Sequence, residues 1–529
     1  LSLTFSPFSS STISVLVIVA INFYLKWNTL AQDAYSQNFT IKGRDFLGWG
    51  IHHDEKFIAQ DGKFLALKKA TEQQPSDYLF YPVIVSFGIG GPLIAAWGFR
   101  CFGMNNRGLR AFFAIISSLS TLFYALSVTT MLPGPMGILI CTLWIINWNT
   151  FIYERSSILE HLLLLCCNIL MFCCVLEFVK IIPIAIALGL FCSLTLLLKW
   201  SFVFQIAMFA TPMLLASGSF RPFAAYTLGM AAGIIPLGII GGFVLWRLSF
   251  WEEFFLNIRT VFVSHQGKKS FNNYHFPIGG KWALNTYSLA FAGWFLQSPL
   301  KTESKDSKWT TILTTVLILI WYIGAFYPGG AGLGVYHILI LGTFHRIFMY
   351  LKRTSILFPY SLLLSGLGIN SILGYVLGQN ALQSEFFCLI TAIFTIFLCL
   401  HTYHIVIKHG ALISSPLKSA AHEIDNIVGK GTLIHSHAYA YRLFWQCKAR
   451  LRAYDEQFME LPWEIVGWCI QENGRFVLLP ERKIWPMPLE VKSLLKEHWR
   501  GYIPIQSSDP ACEFVLYEII PEYRNAGTI

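Results

Sequence analysis

Residues 223–247 read FAAYTLGMAAGIIPLGIIGGFVLWR, with no charge before the closing arginine. A helix needs about 20 apolar residues to cross a hydrocarbon core, and this run supplies them. Comparable runs precede it at roughly 79–101, 110–131, 134–152, 157–176, 180–198 and 200–218. Others follow at roughly 282–297, 309–327, 335–350, 355–378 and 386–407, and a first run occupies residues 12–27. In lipid each must be helical, because unpaired backbone groups cannot be left in hydrocarbon. The continuity of the runs excludes the alternating strands of a barrel.

The bulk composition agrees. The chain has 529 residues, 55% of them hydrophobic and 13% charged, with mean hydropathy +0.54. Soluble proteins carry about 25% charged residues. The expected fold is an all-α polytopic membrane protein of about 11–13 transmembrane helices. Residues 12–27 follow a Ser-rich start without a basic flank or a small-residue cleavage site, so they read as a retained span rather than a signal peptide. From about residue 411 charges recur every few residues, and short apolar runs resemble strands: Thr432-Leu433-Ile434, Phe476-Val477-Leu478-Leu479 and Phe514-Val515-Leu516-Tyr517. This predicts a transmembrane domain over 1–410 and a small soluble α/β domain over 411–529.

Two polar stretches interrupt the apolar runs, a first loop over 28–78 and a second over 248–281. Apolar residues at helical spacing around Phe57, Leu65 and Leu67 predict short interfacial helices in the first. The net charge of +10 has two readings, basic cytoplasmic loops or a site for a phosphorylated, anionic lipid. Arg100, Arg107 and Arg110 cluster together, as do Lys301, Lys305 and Lys308, and Lys352 and Arg353. The positive-inside rule assigns all three groups to the cytoplasm and the first loop to the outside. Span parity around Met131 to Pro135 leaves the side of the C-terminal domain open.

Of twelve cysteines, nine lie in apolar runs, with no CxxC and no Cys/His metal spacing, which reads as buried, inert thiols. Cys447, Cys469 and Cys512 lie in the tail and are placed to pair only in an oxidising compartment.

Residues 52–63 of the first loop read HHDEKFIAQDGK. A carboxylate on an ordered loop beside a membrane suits a general base, and Asp54 and Glu55 are the pair available. They are also the pair suited to a divalent cation. The bland reading is a solvated interfacial loop. Beside them His52, His53 and Lys56 suit an anionic group. Arg155 and Glu160 flank the start of a span, where charge either faces a cavity or snorkels outward. Lys199 closes another span and is either a snorkelling lysine or one aimed at a phosphate at the membrane surface. In the second loop Arg259, His265, Lys268, Lys269 and His275 suit phosphate or pyrophosphate, or form a basic cytoplasmic loop. His337, His345 and Arg346 lie in a late span, where a lone histidine is more often a core residue. No Walker-type phosphate cradle and no HExxH is present.

Taken in order, these pieces resemble the GT-C superfamily of membrane glycosyltransferases, which includes protein O-mannosyltransferases and the transferase that puts aminoarabinose on lipid A. The family pattern is a first span and an external loop with an Asp or Asp-Glu. A Pro then starts the second span, followed by a Phe-Gly with an Arg beyond it, an Arg-led segment, and a Gly-containing span ending in Lys. This chain offers His53-Asp54-Glu55, Tyr81-Pro82, Phe102-Gly103, Arg107 to Arg110, Arg155 to Glu160, and Gly189 to Lys199. The resemblance covers roughly residues 12–350. The Asp-Glu lies farther past Trp27 than in the family, so Asp33 is a rival base, and no Glu-Lys-Pro precedes the second span.

The resemblance implies a GT-C-like fold and transfer of a sugar from a polyprenyl-phosphate donor to a lipid, glycan or protein acceptor, with Asp54 as base. It implies Lys199, Arg155, Arg259, His265 and Lys268 as cations for the donor phosphate. His53, Glu160, Tyr81 and His337 become substrate contacts. Membrane lipids are the expected surroundings, no nucleic acid is expected as partner, no nucleotide is required, and the one cofactor left open is a divalent cation. The expected location is a bacterial inner membrane with the site facing the periplasm. Two other classes remain: a transporter or flippase of a lipid-linked glycan, and a polysaccharide polymerase. A flippase often shows inverted repeats of broken helices, and none is visible here.

Overall fold

The architecture comes from a computed structural model. It describes residues 10–31, 39–41, 44–46, 58–59, 62–63, 65–66, 88–132, 134–145, 157, 159–198, 206, 210, 214, 219–247, 251, 363, 366, 385–410, 416–437, 443, 447–454, 462–481, 487–503 and 512–524. They are mostly helical, with a small sheet. The chain forms two compact units: Leu1–Trp27, Val85–Gly88 and Phe113–Val406 make one, and Asn28–Ile84, Ile89–Phe112 and Ile407–Ile529 make the other.

In the first unit, helix α1 (Ser10–Thr29) buries Val15, Ile18, Val19 and Asn22 and exposes Ile13, Leu16, Val17, Ile21 and Tyr24, two faces set by helical periodicity. Further on come α3 (Asn106–Met131), α4 (Pro135–Ile145), α5 (Glu160–Val175), α6 (Ile182–Ser193), α7 (Phe220–Arg247) and α8 (Glu385–Gly410). Among the described residues, two helices are long and apolar enough to cross a membrane, Asn106–Met131 and Phe220–Phe243. Large apolar side chains stand exposed on α7 (Leu228, Ile235, Ile239, Phe243) and α8 (Phe386, Leu389, Ile393, Phe397), faces suited to lipid rather than water.

Several hydroxyls inside this unit are satisfied by carbonyls of their own helix, which lowers the cost of burying them. On α3 the hydroxyls of Thr121, Thr129 and Thr130 donate to carbonyls of the preceding turn at 2.8–3.0 Å. Asn168 of α5 donates to the Ser120 carbonyl at 3.0 Å and to its hydroxyl at 2.9 Å, tying α5 to α3. The crossing of α6 and α7 brings backbone onto backbone. An ideal Cβ at Gly189 would lie 2.1 Å from the Tyr226 oxygen, and one at Gly229 2.2 Å from the Ile186 oxygen. Small residues at the crossing permit this approach, as in packed membrane helices.

In the second unit, α2 (Gly90–Phe102) and the start of α3 form a tight pair. Gly103 ends α2 at φ 86°, its N–H bonded to the Phe99 carbonyl at 3.0 Å. The Asn105 side chain then caps α3 by accepting from the Gly108 N–H at 2.9 Å. Phe112 meets Trp97 and Phe102 edge-on.

The first loop contains a short antiparallel pair, β1 (Phe39–Ile41) and β2 (Arg44–Phe46), in a stretch where only short helices were expected. Aromatic and β-branched residues around Lys42-Gly43 favour strands over helix there. Residues 58–59, 62–63 and 65–66 are helical, as the spacing around Leu65 predicts.

A second correction concerns side. Arg100 Nη2 donates to the Leu65 carbonyl at 2.8 Å, and Arg110 Nη1 to the Leu30 carbonyl at 3.2 Å. The arginine cluster therefore lies beside the first loop, not across the membrane from it. These guanidiniums serve as anchors for unpaired loop and helix-end carbonyls, a role the charge rule does not see.

The C-terminal part begins with α9 (Pro416–Val428) and forms a five-stranded mixed sheet in the order β4-β3-β5-β7-β6. Its strands are β3 (Leu433–His437), β4 (Arg450–Tyr454), β5 (Phe476–Glu481), β6 (Leu495–Ile503) and β7 (Cys512–Ile519). The three apolar runs noted in the sequence lie on β3, β5 and β7. Alternation sends Phe476, Leu478, Phe514 and Leu516 to the face covered by α9. Val477, Leu479, Val515 and Tyr517 go to the opposite face, covered by α10 (Pro462–Gln471).

Candidate active site

Of the site residues named from the sequence, Glu160 is described. Asp33, His53, Asp54, Glu55, Tyr81, Arg155, Lys199, Arg259, His265, Lys268 and His337 lie outside the described residues.

Glu160 is the first residue of α5 and is buried, with His161 beside it and Ser157 just before it also buried. The helix start favours a carboxylate there, since the macrodipole puts partial positive charge at that end. Burying an ionisable pair is costly, so each group needs partners to stay there. His161 was not singled out from the sequence. Its adjacency to Glu160 was the available signal.

The turn at Leu197 is closely packed. Gly88, at φ +85°, lies so close to this turn that a Cβ would sit 2.3 Å from the Leu197 oxygen. The backbone entering α2 thus abuts the turn two residues before Lys199.

The loop that carries HHDEKFIAQDGK is anchored at the end of that stretch, seven to ten residues past Glu55. Gly62 sits on α2, where a Cβ would lie 2.6 Å from Ala95 Cβ and 3.2 Å from the Pro92 oxygen. Three residues on, the Leu65 carbonyl takes the Arg100 bond. Lys63 Nζ donates to the Cys447 carbonyl of the C-terminal sheet domain. Asp425, at the end of α9, accepts from the Lys448 and Ala449 N–H groups at 2.6 and 2.8 Å and so fixes the turn that presents that carbonyl. Though part of its side chain reaches solvent, Lys63 is crowded enough that burial holds its ammonium below the ordinary lysine value, against the pull of Cys447 and Asp425. Burial, with the Asp425 charge, pushes the Cys447 thiol up to about 12, so it is a neutral thiol. Lys63 was one charge among several in the loop sequence, and its partner lies 384 residues away, which no local pattern signals.

Among the described residues no cluster of three His, Cys, Asp or Glu side chains is placed to hold a metal ion.

No family model and no curated protein matches the sequence. Among solved structures, the chain is similar to ArnT from Cupriavidus metallidurans bound to undecaprenyl phosphate. The identity is 9% and the TM-score 0.44, over 97% of this chain and 99% of that one. It is similar to the apo state of the same protein at 10% identity and TM-score 0.40, over the same shares. These ArnT structures are structural neighbours over nearly the whole length. At that identity and TM-score the likeness carries no conclusion about fold or activity.

Proposed function

We propose that the chain is a multi-pass membrane glycosyltransferase of the GT-C type, moving a sugar from a polyprenyl-phosphate donor to a lipid, glycan or protein acceptor at the outer face of the membrane. The observation that supports this reading is the anchoring of Gly62, Lys63 and Leu65, seven to ten residues past Glu55, on α2 and on the C-terminal domain. A merely solvated loop has no need of a close glycine contact, an arginine clamp and a crowded lysine within five residues.

In this reading Asp54 takes the proton of the acceptor hydroxyl as the oxygen attacks the anomeric carbon. The bond from that carbon to the lipid phosphate breaks, and the phosphate leaves with the electron pair. Attack from the face opposite the leaving group inverts the centre. Charge gathers on the phosphate in the transition state, so preorganised cations lower the barrier. Lys199 and Arg155 take that role first, with Arg259, His265 and Lys268 from the second loop. Glu160 is a substrate contact with His53, Tyr81 and His337. Asp54 and Glu55 are also the pair that would hold a divalent cation. The domain division stays at 1–410 and 411–529, and the location is a bacterial inner membrane.

The test is sugar transfer by the purified protein in lipid, from a panel of radiolabelled polyprenyl-phosphate sugars to a cell-membrane extract. Asp33→Asn distinguishes the rival base: if that variant is dead while Asp54→Asn is active, the residue assignment fails and the enzyme class stands.

A further inference from the structure

We propose that Lys63 is a positioning residue through which the C-terminal domain holds the first polar loop, so that loop and domain share one side of the membrane and work as one unit. The contact stands on its own geometry. Only its catalytic meaning rests on the glycosyltransferase reading.

The loop and the domain are separated by every span after the first, and the sequence leaves their relative side open. A hydrogen bond from Lys63 to the Cys447 carbonyl removes that freedom. The domain side of the bond is itself rigid. Asp425 holds the backbone at Lys448 and Ala449 with two charge-assisted bonds, beside the carbonyl that Lys63 uses, and its negative charge acts on the ammonium. Cys447 is buried in the core under α9, so its carbonyl has little room to move.

The other face of the loop segment is held equally closely. Gly62 meets α2 at a distance no larger residue permits, and Arg100 takes the Leu65 carbonyl. The segment is thus gripped between α2 and the domain. A crowded lysine is a costly means of attachment when an apolar contact would serve. What it adds is direction, because its ammonium is held at one carbonyl beside one carboxylate. For a loop that carries a base, that matters: misplacing a catalytic group by about 1 Å costs on the order of 100-fold in rate.

The experiment uses the full chain in lipid with Lys63→Met, which keeps bulk and removes the donor, and Lys63→Arg, which keeps charge and donors. Amide exchange is followed across residues 58–66. The expected result is faster exchange there in Lys63→Met, with Lys63→Arg close to wild type. In the transfer assay, Lys63→Met lowers kcat by about 100-fold with donor KM little changed, and Lys63→Arg recovers most of it. Sidedness is read with a membrane-impermeant maleimide on Ala66→Cys and Leu489→Cys in sealed vesicles, against the wild-type background. Both sites label from the same side. Unchanged exchange in Lys63→Met, or labelling from opposite sides, overturns the proposal. If the wild type transfers no sugar, or both sites label only from the cytoplasmic side, the functional reading or its outer face fails, while exchange and same-sided labelling still decide this inference.

Discussion

Gly88 combines a left-handed backbone with a close backbone neighbour. Its φ of +85° lies in the left-handed region, and any Cβ would press on the Leu197 oxygen at 2.3 Å. Gly88→Ala is expected to destabilise by about 1–3 kcal/mol, read from thermal unfolding in detergent. An unchanged midpoint would show that the entry to α2 is not held against that turn. Other residues divide by whether their role is local. Glu160 stands at the head of its apolar run as the sequence indicates, buried at a helix start. Arg100 and Arg110 were expected on the opposite side of the membrane from the first loop, and the two are together instead. A rule of charge counts cannot tell a solvated guanidinium from one bonded to the Leu65 or Leu30 carbonyl. Lys63 was illegible because its partner is brought to it only by the fold.

At the scale of elements, the described helices fall on continuous apolar runs, since length and hydropathy alone decide such segments, while the runs at about 200–218, 282–297, 309–327, 335–350 and 355–378 lie almost wholly outside the described residues. α5, α6 and α7 match their runs to within a few residues. The strand pair at 39–41 and 44–46 was missed because strands of three residues hold too little periodicity to register. What the runs could not show is how helices pair. The α6–α7 crossing depends on Gly189, Gly229 and Gly233, the last lying where a Cβ would meet the Ser193 hydroxyl. Gly189→Leu should force the helices apart and cost about 1–3 kcal/mol or more, since backbone atoms cannot yield as side chains do. The measurement is resistance to thermal aggregation in detergent, with Leu188→Ala on the same helix as a control for lost volume. If Gly189→Leu is the milder change, close crossing is not what holds the pair.

For the molecule as a whole, the C-terminal domain adds a pH dependence that the spans do not. Arg500 on β6 pairs with Glu481 at 2.5 Å, Glu497 at 2.8 Å and Glu513 at 3.3 Å, and Tyr517 donates to Glu481 at 3.1 Å. The hydrogen bonds from Arg500 hold the Glu481 and Glu497 carboxyls below the usual range. Groups with lowered folded values stabilise in full above the unfolded carboxylate pKa of about 4.3 and lose that contribution as pH falls through the folded value. Exchange protection of β5–β7 should therefore be flat near neutrality and drop below about pH 4.3. Arg500→Ala should cost about 1 kcal/mol at pH 7 and less in acid, because the network is partly open to solvent. A loss that grows toward low pH would contradict this. The same domain gains a second purpose from Lys63, as a brace for the loop before α2.

Asp54→Asn is the most direct measurement. Wild type and variant are compared in lipid for sugar transfer from labelled polyprenyl-phosphate donors, with donor binding and unfolding measured on both. Loss of the base predicts a fall of about 10²–10⁴-fold in transfer, with binding and folding retained. Equal transfer by both proteins would contradict the account, as would movement of intact labelled lipid across the bilayer without any transfer.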